Sequence, residues 1–107
     1  MQNENKLNDA ALKEALDASP SDRRLTPDRI EAAIASEQYI VIPETCLTIC
    51  VLTMQNGFNV SAQAACADKA NFNPEIGRTV ARRNALNQVW PLEGYLLKQR
   101  IYEEDGA

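Results

Sequence analysis

Three arginines within six residues, Arg78, Arg82 and Arg83, are the side chains of this chain best suited to chemistry. The chemistry is anion recognition, because a guanidinium presents a rigid fork of donors that matches a carboxylate or phosphate two bonds at a time. They stand in Gly77-Arg78-Thr79-Val80-Ala81-Arg82-Arg83-Asn84, in the first turns of a predicted helix and close to the positive end of its dipole. Arg78 and Arg82 are four apart and share a face, whereas Arg83 and Asn87 project with Ile76, Val80, Leu86 and Trp90 at helical spacing. Arg78, Arg82 and Arg83 are therefore the candidate phosphate contacts. Asn84, Asn87 and Tyr95 are secondary candidates, the amides as hydrogen-bonding groups and the ring as a stacking surface for a base. The competing reading makes Arg78 and Arg82 a solvated face and lays the stem of Arg83 on Trp90. Tyr39, Tyr95 and Tyr102, if exposed, are rings able to stack on a base beside these arginines; the competing reading makes them core or interface anchors.

Other chemistry is poorly provided for. The chain has no histidine, so it lacks the commonest general base, the commonest zinc ligand and any triad built on imidazole. No catalytic residue, metal site or cofactor is expected. Its glycines are scattered, and none forms a phosphate-cradling loop. Cys46 and Cys50, four apart on one strand face, lie about 13 Å from each other at the usual strand rise and cannot grip one metal. Cys66 is expected on the core-facing side of a strand, structural and inert. Glu93, near a helix kink, is expected to form a structural salt bridge.

With 107 residues, 45% apolar and 24% charged, the chain has the composition and size of one small globular domain. The formal net charge of −4 argues against general nucleic-acid binding and against an anionic membrane surface. The balance is uneven, however, since residues 74–90 carry the three arginines against Glu75 alone. No apolar run is long enough to span a bilayer and no secretion signal is visible. An odd number of cysteines, three, fits free thiols in a reducing compartment, so a cytoplasmic location in the host cell is expected.

The elements that must position the arginines follow from pattern. Residues 1–25 form a polar arm in which Leu7, Ala11, Leu12, Ala15 and Leu16 recur at helical spacing; the arm is either disordered alone or docked in an assembly. Residues 26–107 form the single α+β domain. Thr26-Pro27-Asp28 is a capped helix start, predicting a helix to Ser36 with Ile30, Ala33 and Ile34 buried. Tyr39–Ile42 reads as a strand stopped by Pro43, and Cys46–Thr53 and Phe58–Ala65 flank Asn56-Gly57, a hairpin signal. A two-residue turn there makes paired residue numbers sum to 113. It puts Leu47, Ile49, Val51 and Thr53 on one face with Phe58, Val60, Ala62, Ala64 and Cys66, and leaves a half-apolar second face for the N-terminal helix or another subunit. Asn73-Pro74-Glu75 starts a long helix to about Tyr102, which Pro91 is expected to break near Trp90 into two angled segments. The fold class expected is α+β: N-terminal helix or helices, a three-stranded antiparallel meander and a long Pro-kinked C-terminal helix.

Several of these residues carry a resemblance. Thr53–Phe58 ending in Asn56-Gly57-Phe58, then Ala65-Cys66, Asn71-Phe72 with Ile76-Gly77, and above all Trp90-Pro91-Leu92-Glu93-Gly94-Tyr95 resemble the small tailed-phage and prophage family named for gene product forty-nine of coliphage N-four and gene sixty-six of phage Sf-six. The likeness covers roughly residues 26 to 102. It implies phage or prophage origin and accessory status, and supplies no catalytic residue. Some members are also similar to phage anti-defence proteins that sequester cyclic nucleotide immune signals in oligomers. The longer N-terminal arm and Arg83, where an acidic residue is more usual, depart from the family pattern.

The residues and the resemblance together lead to the expectation of a non-enzymatic accessory protein that binds a host-derived ligand, a nucleotide in the sharpest version, as a homo-oligomer. In that version, replacing Arg82 and Arg83 by Ala abolishes binding and leaves folding intact. The alternative is a protein-interaction or structural module that engages a host protein and needs no small molecule.

Overall fold

The computed structural model describes residues 8–106; Leu7 of the N-terminal pattern lies outside them. The elements run α1 (Asp9–Asp17), α2 (Pro27–Ala32), β1 (Ile34–Val41), β2 (Leu47–Met54), β3 (Asn59–Ala65), a short 3-10 turn (Lys69–Asn71) and α3 (Pro74–Asp105). The three strands form one antiparallel meander in the order β1-β2-β3, and α3 lies across β2 and β3. The protein is α+β.

Helix starts follow their caps. Asn8, Thr26 and Asn73 each accept a backbone N–H of the first turn through the side chain, and proline follows immediately at α2 and α3. α2 ends at Ala32 rather than Ser36 because the hairpin tip takes over its last carbonyls. Gln55 N donates to Ala33 O at 2.9 Å, and Gln55 Nε2 donates to Ala32 O at 3.2 Å. β1 accordingly begins at Ile34, not Tyr39, and Ser36 through Val41 pair residue by residue with Thr53 through Thr48 after an irregularity at Ala35. Pairing to β2 overrides the weak strand propensity of Ala35-Ser36-Glu37-Gln38.

The β2–β3 register sums to 112, from Leu47↔Ala65 to Thr53↔Asn59, and so differs by one residue from the two-residue-turn reading. Met54 N donates to Phe58 O at 2.8 Å and Gly57 N to Met54 O at 2.8 Å. Gly57 takes φ 90, making a three-residue loop whose last position needs the left-handed conformation. The slip exchanges the faces. Thr48, Cys50, Leu52 and Met54 are the buried row, with Val60 opposite Leu52, whereas Leu47, Ile49, Val51 and Thr53 are half-buried on the far face.

Against the buried row, α3 sets Gly77, Ala81, Ala85 and Val89; the last three are fully buried. This stripe of mostly small residues, not Ile76-Val80-Arg83-Asn87-Trp90, is the inward face of α3. Ile76 is 60% exposed. Small residues let the helix backbone approach the sheet while β2 supplies the volume. At Gly77 the approach is closest, and a Cβ there would sit 2.7 Å from Thr48 Oγ1. α3 also covers the free edge of β3, because Asn84 Nδ2 donates to Gln63 O at 3.0 Å and Gln88 Nε2 to Ser61 O at 2.9 Å. Two edge carbonyls are thereby satisfied and closed to another strand. α3 continues through Pro91 as one element rather than dividing at Trp90.

The Gly77 contact is testable. In an open helix position Gly→Ala stabilises by about 1 kcal/mol, but overpacking a buried contact costs about 1–3 kcal/mol. Gly77→Ala should therefore destabilise in thermal or urea unfolding, and the same change in a Thr48→Ala background should be neutral or stabilising. Thr48 Oγ1 is buried without a hydrogen-bond partner among the described residues, so Thr48→Val should match or exceed wild-type stability.

Candidate functional site

Because α3 lies over β2 and β3, the inner face of β1 is left uncovered beside it. Glu37 and Tyr39 occupy that face, paired in register with the buried Leu52 and Cys50. Opposite them the first turns of α3 present Glu75, Arg78, Thr79, Arg82 and Arg83. Between the two elements lies a cleft of about 510 Å³, with Leu86 at its apolar end.

Arg82 ties the cleft together. Its Nε donates to Glu37 Oε1 at 2.7 Å, and its two terminal nitrogens donate to Glu31 at 2.6 and 3.0 Å. One guanidinium thus joins α2, β1 and α3. The hydrogen bonds that Arg82 donates to Glu31 and then to Glu37 push its pKa above the ordinary value. In return the Arg82 hydrogen bond holds the Glu31 carboxyl below the usual carboxylate value. Tyr39 donates its hydroxyl to Glu37 Oε2 at 3.2 Å. Burial, with the neighbouring Cys50 and Glu37 adding to it, pushes this phenol from 10.0 to about 12.

The structure brings all three predicted arginines into one cleft but gives them different roles. Arg82 is already committed to two carboxylates, whereas Arg78 and Arg83 are exposed and form no ion pair among the described residues. Of the secondary candidates, Asn84 is committed to the edge of β3. Asn87 is exposed on α3 and does not line the cleft. Tyr95 lies twelve residues beyond Arg83, about 18 Å along the helix. The ring in the cleft is Tyr39. Sequence offered Tyr39 only as one of three tyrosines able to stack on a base, and it did not pick out Glu37 and Glu31; a strand read back to Ile34 would have set Glu37 and Tyr39 on one face by their spacing of two.

Tyr95 borders a second depression of about 480 Å³ between the hairpin tip and α3, walled by Met54, Phe58, Leu92 and Leu96. Its rim is apolar yet open, with Phe58 57% and Tyr95 71% exposed. Glu93 lines this groove and is not among the ion-paired carboxylates, so its expected salt bridge is not formed among the described residues. Cys66 also departs from expectation. It lies half-buried just past β3, and the core thiol is Cys50.

Among the described residues no three of His, Cys, Asp and Glu gather where they could hold a metal ion, and no helix is long and apolar enough to cross a membrane. The sequence profile of one known family matches residues 25–101, from the foot of the N-terminal arm through α2, the meander and most of α3. The chain belongs to the phage protein (N4 Gp49/phage Sf6 gene 66) family. The matched span contains the whole arginine cleft and the apolar groove. Neither the curated proteins nor the solved structures contain a match to the chain.

The Arg82 bridge makes two predictions. Arg82→Ala should cost about 1–2 kcal/mol of stability, as expected for a partly exposed network of two pairs. Arg82→Lys should recover only part of it, because an ammonium cannot reproduce the fork. Glu31 has its folded pKa depressed below 4.5, so its contribution is present above that value and lost as pH falls through the lower, folded one. That acid-side loss should shrink in Arg82→Ala. Tyr39 has the opposite sign: its folded pKa is raised, so its contribution is complete below pH 10.0 and is lost as pH rises towards about 12. Absorbance titration should find one tyrosine ionising near 12, and Tyr39→Phe should remove that step.

Proposed function

We propose that this phage-family protein acts by binding rather than catalysis, and that its ligand is a small host-derived anion of the nucleotide class held in the arginine cleft. The observation that carries this reading is the division of labour among the arginines. Arg82 neutralises Glu37 and fixes the wall, leaving Arg78 and Arg83 unpaired among the described residues in a cleft that the Tyr39 ring also lines. Two guanidiniums and Leu86 on α3 with the Tyr39 ring on β1 suit a phosphate joined to a flat base. A cleft of about 510 Å³ is within the usual size of small-molecule sites. Glu75 sets a limit on the ligand's charge distribution, because a carboxylate in the cleft repels a phosphate placed against the first turn of α3.

The variant that separates binding from folding is Arg78→Ala with Arg83→Ala, since Arg82 braces the fold and its loss confounds the two. Purified protein should be unfolded thermally against a panel of linear and cyclic signalling nucleotides. A ligand at about a hundredfold over its dissociation constant stabilises by about 2.7 kcal/mol, a clear rise in Tm for a chain this size. The double variant should fold within about 0.5 kcal/mol of wild type, as surface changes usually do, and lose the ligand-induced rise. Absence of a rise with every nucleotide would contradict the reading.

A second reading is favoured by a separate observation, the open apolar groove at Phe58, Leu92, Tyr95 and Leu96 together with the half-exposed Leu47, Ile49 and Val51 on the outer sheet face. Apolar surfaces of this kind mark contacts between chains, and a second copy of this chain is the partner proposed. Leu96→Glu should then reduce the mass measured by light scattering to that of a single chain.

A further inference from the structure

The register that exchanges the sheet faces also brings two cysteines opposite one another. Cys46 and Cys66 are the next residues beyond Leu47↔Ala65, the last pair of the β2–β3 ladder. Directly opposed residues of antiparallel strands have Cα atoms about 4.5–5.5 Å apart, inside the roughly 4.4–6.8 Å over which a disulfide closes without backbone movement. Both cysteines are free and half-buried. They line one small cavity of about 100 Å³, whose other walls include Asn71, Phe72 and Gly77. The third thiol, Cys50, is fully buried on the sheet's inner face and lines none of the three cavities.

We propose that Cys46 and Cys66 form a dithiol modification site that a low-molecular-weight disulfide oxidises to an intramolecular cross-strand bond. The reaction balances by exchange. One cysteine thiolate attacks a sulfur of the small disulfide, expelling one small thiolate and forming a mixed disulfide. The opposed cysteine then loses its proton and attacks the protein sulfur of that mixed disulfide, expelling the second small thiolate. Two protein thiols are oxidised to one S–S bond, and one small disulfide is reduced to two thiols. The two thiols already interact: the neighbouring Cys66, and then burial, raise the Cys46 pKa above its ordinary value, with Lys69 opposing. Exchange is thereby slowed at neutral pH and favoured as pH rises. Closure would clamp the open end of the hairpin, opposite the Gly57 turn, next to the first turn of α3.

The full-length chain is incubated with excess oxidised glutathione at mildly alkaline pH, alkylated under denaturing conditions and mapped by mass spectrometry. The proposal expects two of the three thiols to be lost, a peptide pair joined through Cys46 and Cys66, and Cys50 recovered alkylated. Oxidised monomer should unfold at a higher temperature than reduced monomer, and reduction should reverse the rise. Cys46→Ser and Cys66→Ser should each stop at a stable glutathione adduct on the remaining partner. The idea is overturned if wild type retains the adduct without closing the bond, forms the bond only between chains, or keeps all three thiols under conditions that oxidise a model dithiol peptide.

Discussion

The fold depends on how closely α3 can lie against the sheet. Gly77, Ala81, Ala85 and Val89 recur every four residues, and at Gly77 the helix stands where even a methyl group would meet Thr48. With little bulk on the helix, the core volume comes from Cys50, Leu52, Met54 and Val60 on the strands and Ile30 of α2. Close approach also brings Asn84 and Gln88 within reach of the β3 edge. Specific hydrogen bonds thus fix the lateral position of α3, and the hydrophobic contact fixes its depth.

The cleft follows from that position. A single helix over a three-stranded sheet cannot cover all of it, and α3 covers the β2–β3 side. The uncovered inner face of β1 therefore carries Glu37 and Tyr39, and α2 is tied to it through the hydrogen bonds of Arg82 to Glu31. Arg82 satisfies the resulting carboxylates, so the three arginines become one brace and two cations without an ion pair among the described residues. The distinction matters for function: a residue bound to two carboxylates within the fold contributes geometry, whereas Arg78 and Arg83 have donors to offer a ligand.

The capped helix starts, the meander and the long final helix were legible because each has a local cause: an Asn or Thr cap followed by proline, a glycine that tolerates positive φ, β-branched runs. Helical spacing set Arg78 and Arg82 on one face and Arg83 apart from them with Ile76 and Val80, whereas a single cleft is lined by all three. Three features were not legible, for the same reason. The end of α2 is set by Gln55 of the hairpin tip. The start of β1 is set by pairing with β2. The inward face of α3 is set by small residues that a search for large apolar side chains passes over. Each depends on a contact distant in sequence. The one-residue error in register shows how far such a contact reaches, since the choice between a two-residue and a three-residue loop at Asn56-Gly57 decides which side of β2 is core and whether Leu47 or Cys46 stands opposite Cys66.

The central claim is that α3 and β1 build a ligand cleft whose free cations are Arg78 and Arg83. The most direct measurement is a titration of isotopically labelled protein with the nucleotide panel, followed by amide chemical shifts. The account predicts shifts concentrated at Tyr39, Arg78, Thr79, Arg83 and Leu86, with Phe58, Leu92 and Tyr95 unmoved. Shifts confined to the hairpin tip and the second half of α3, or none with any nucleotide, would contradict it.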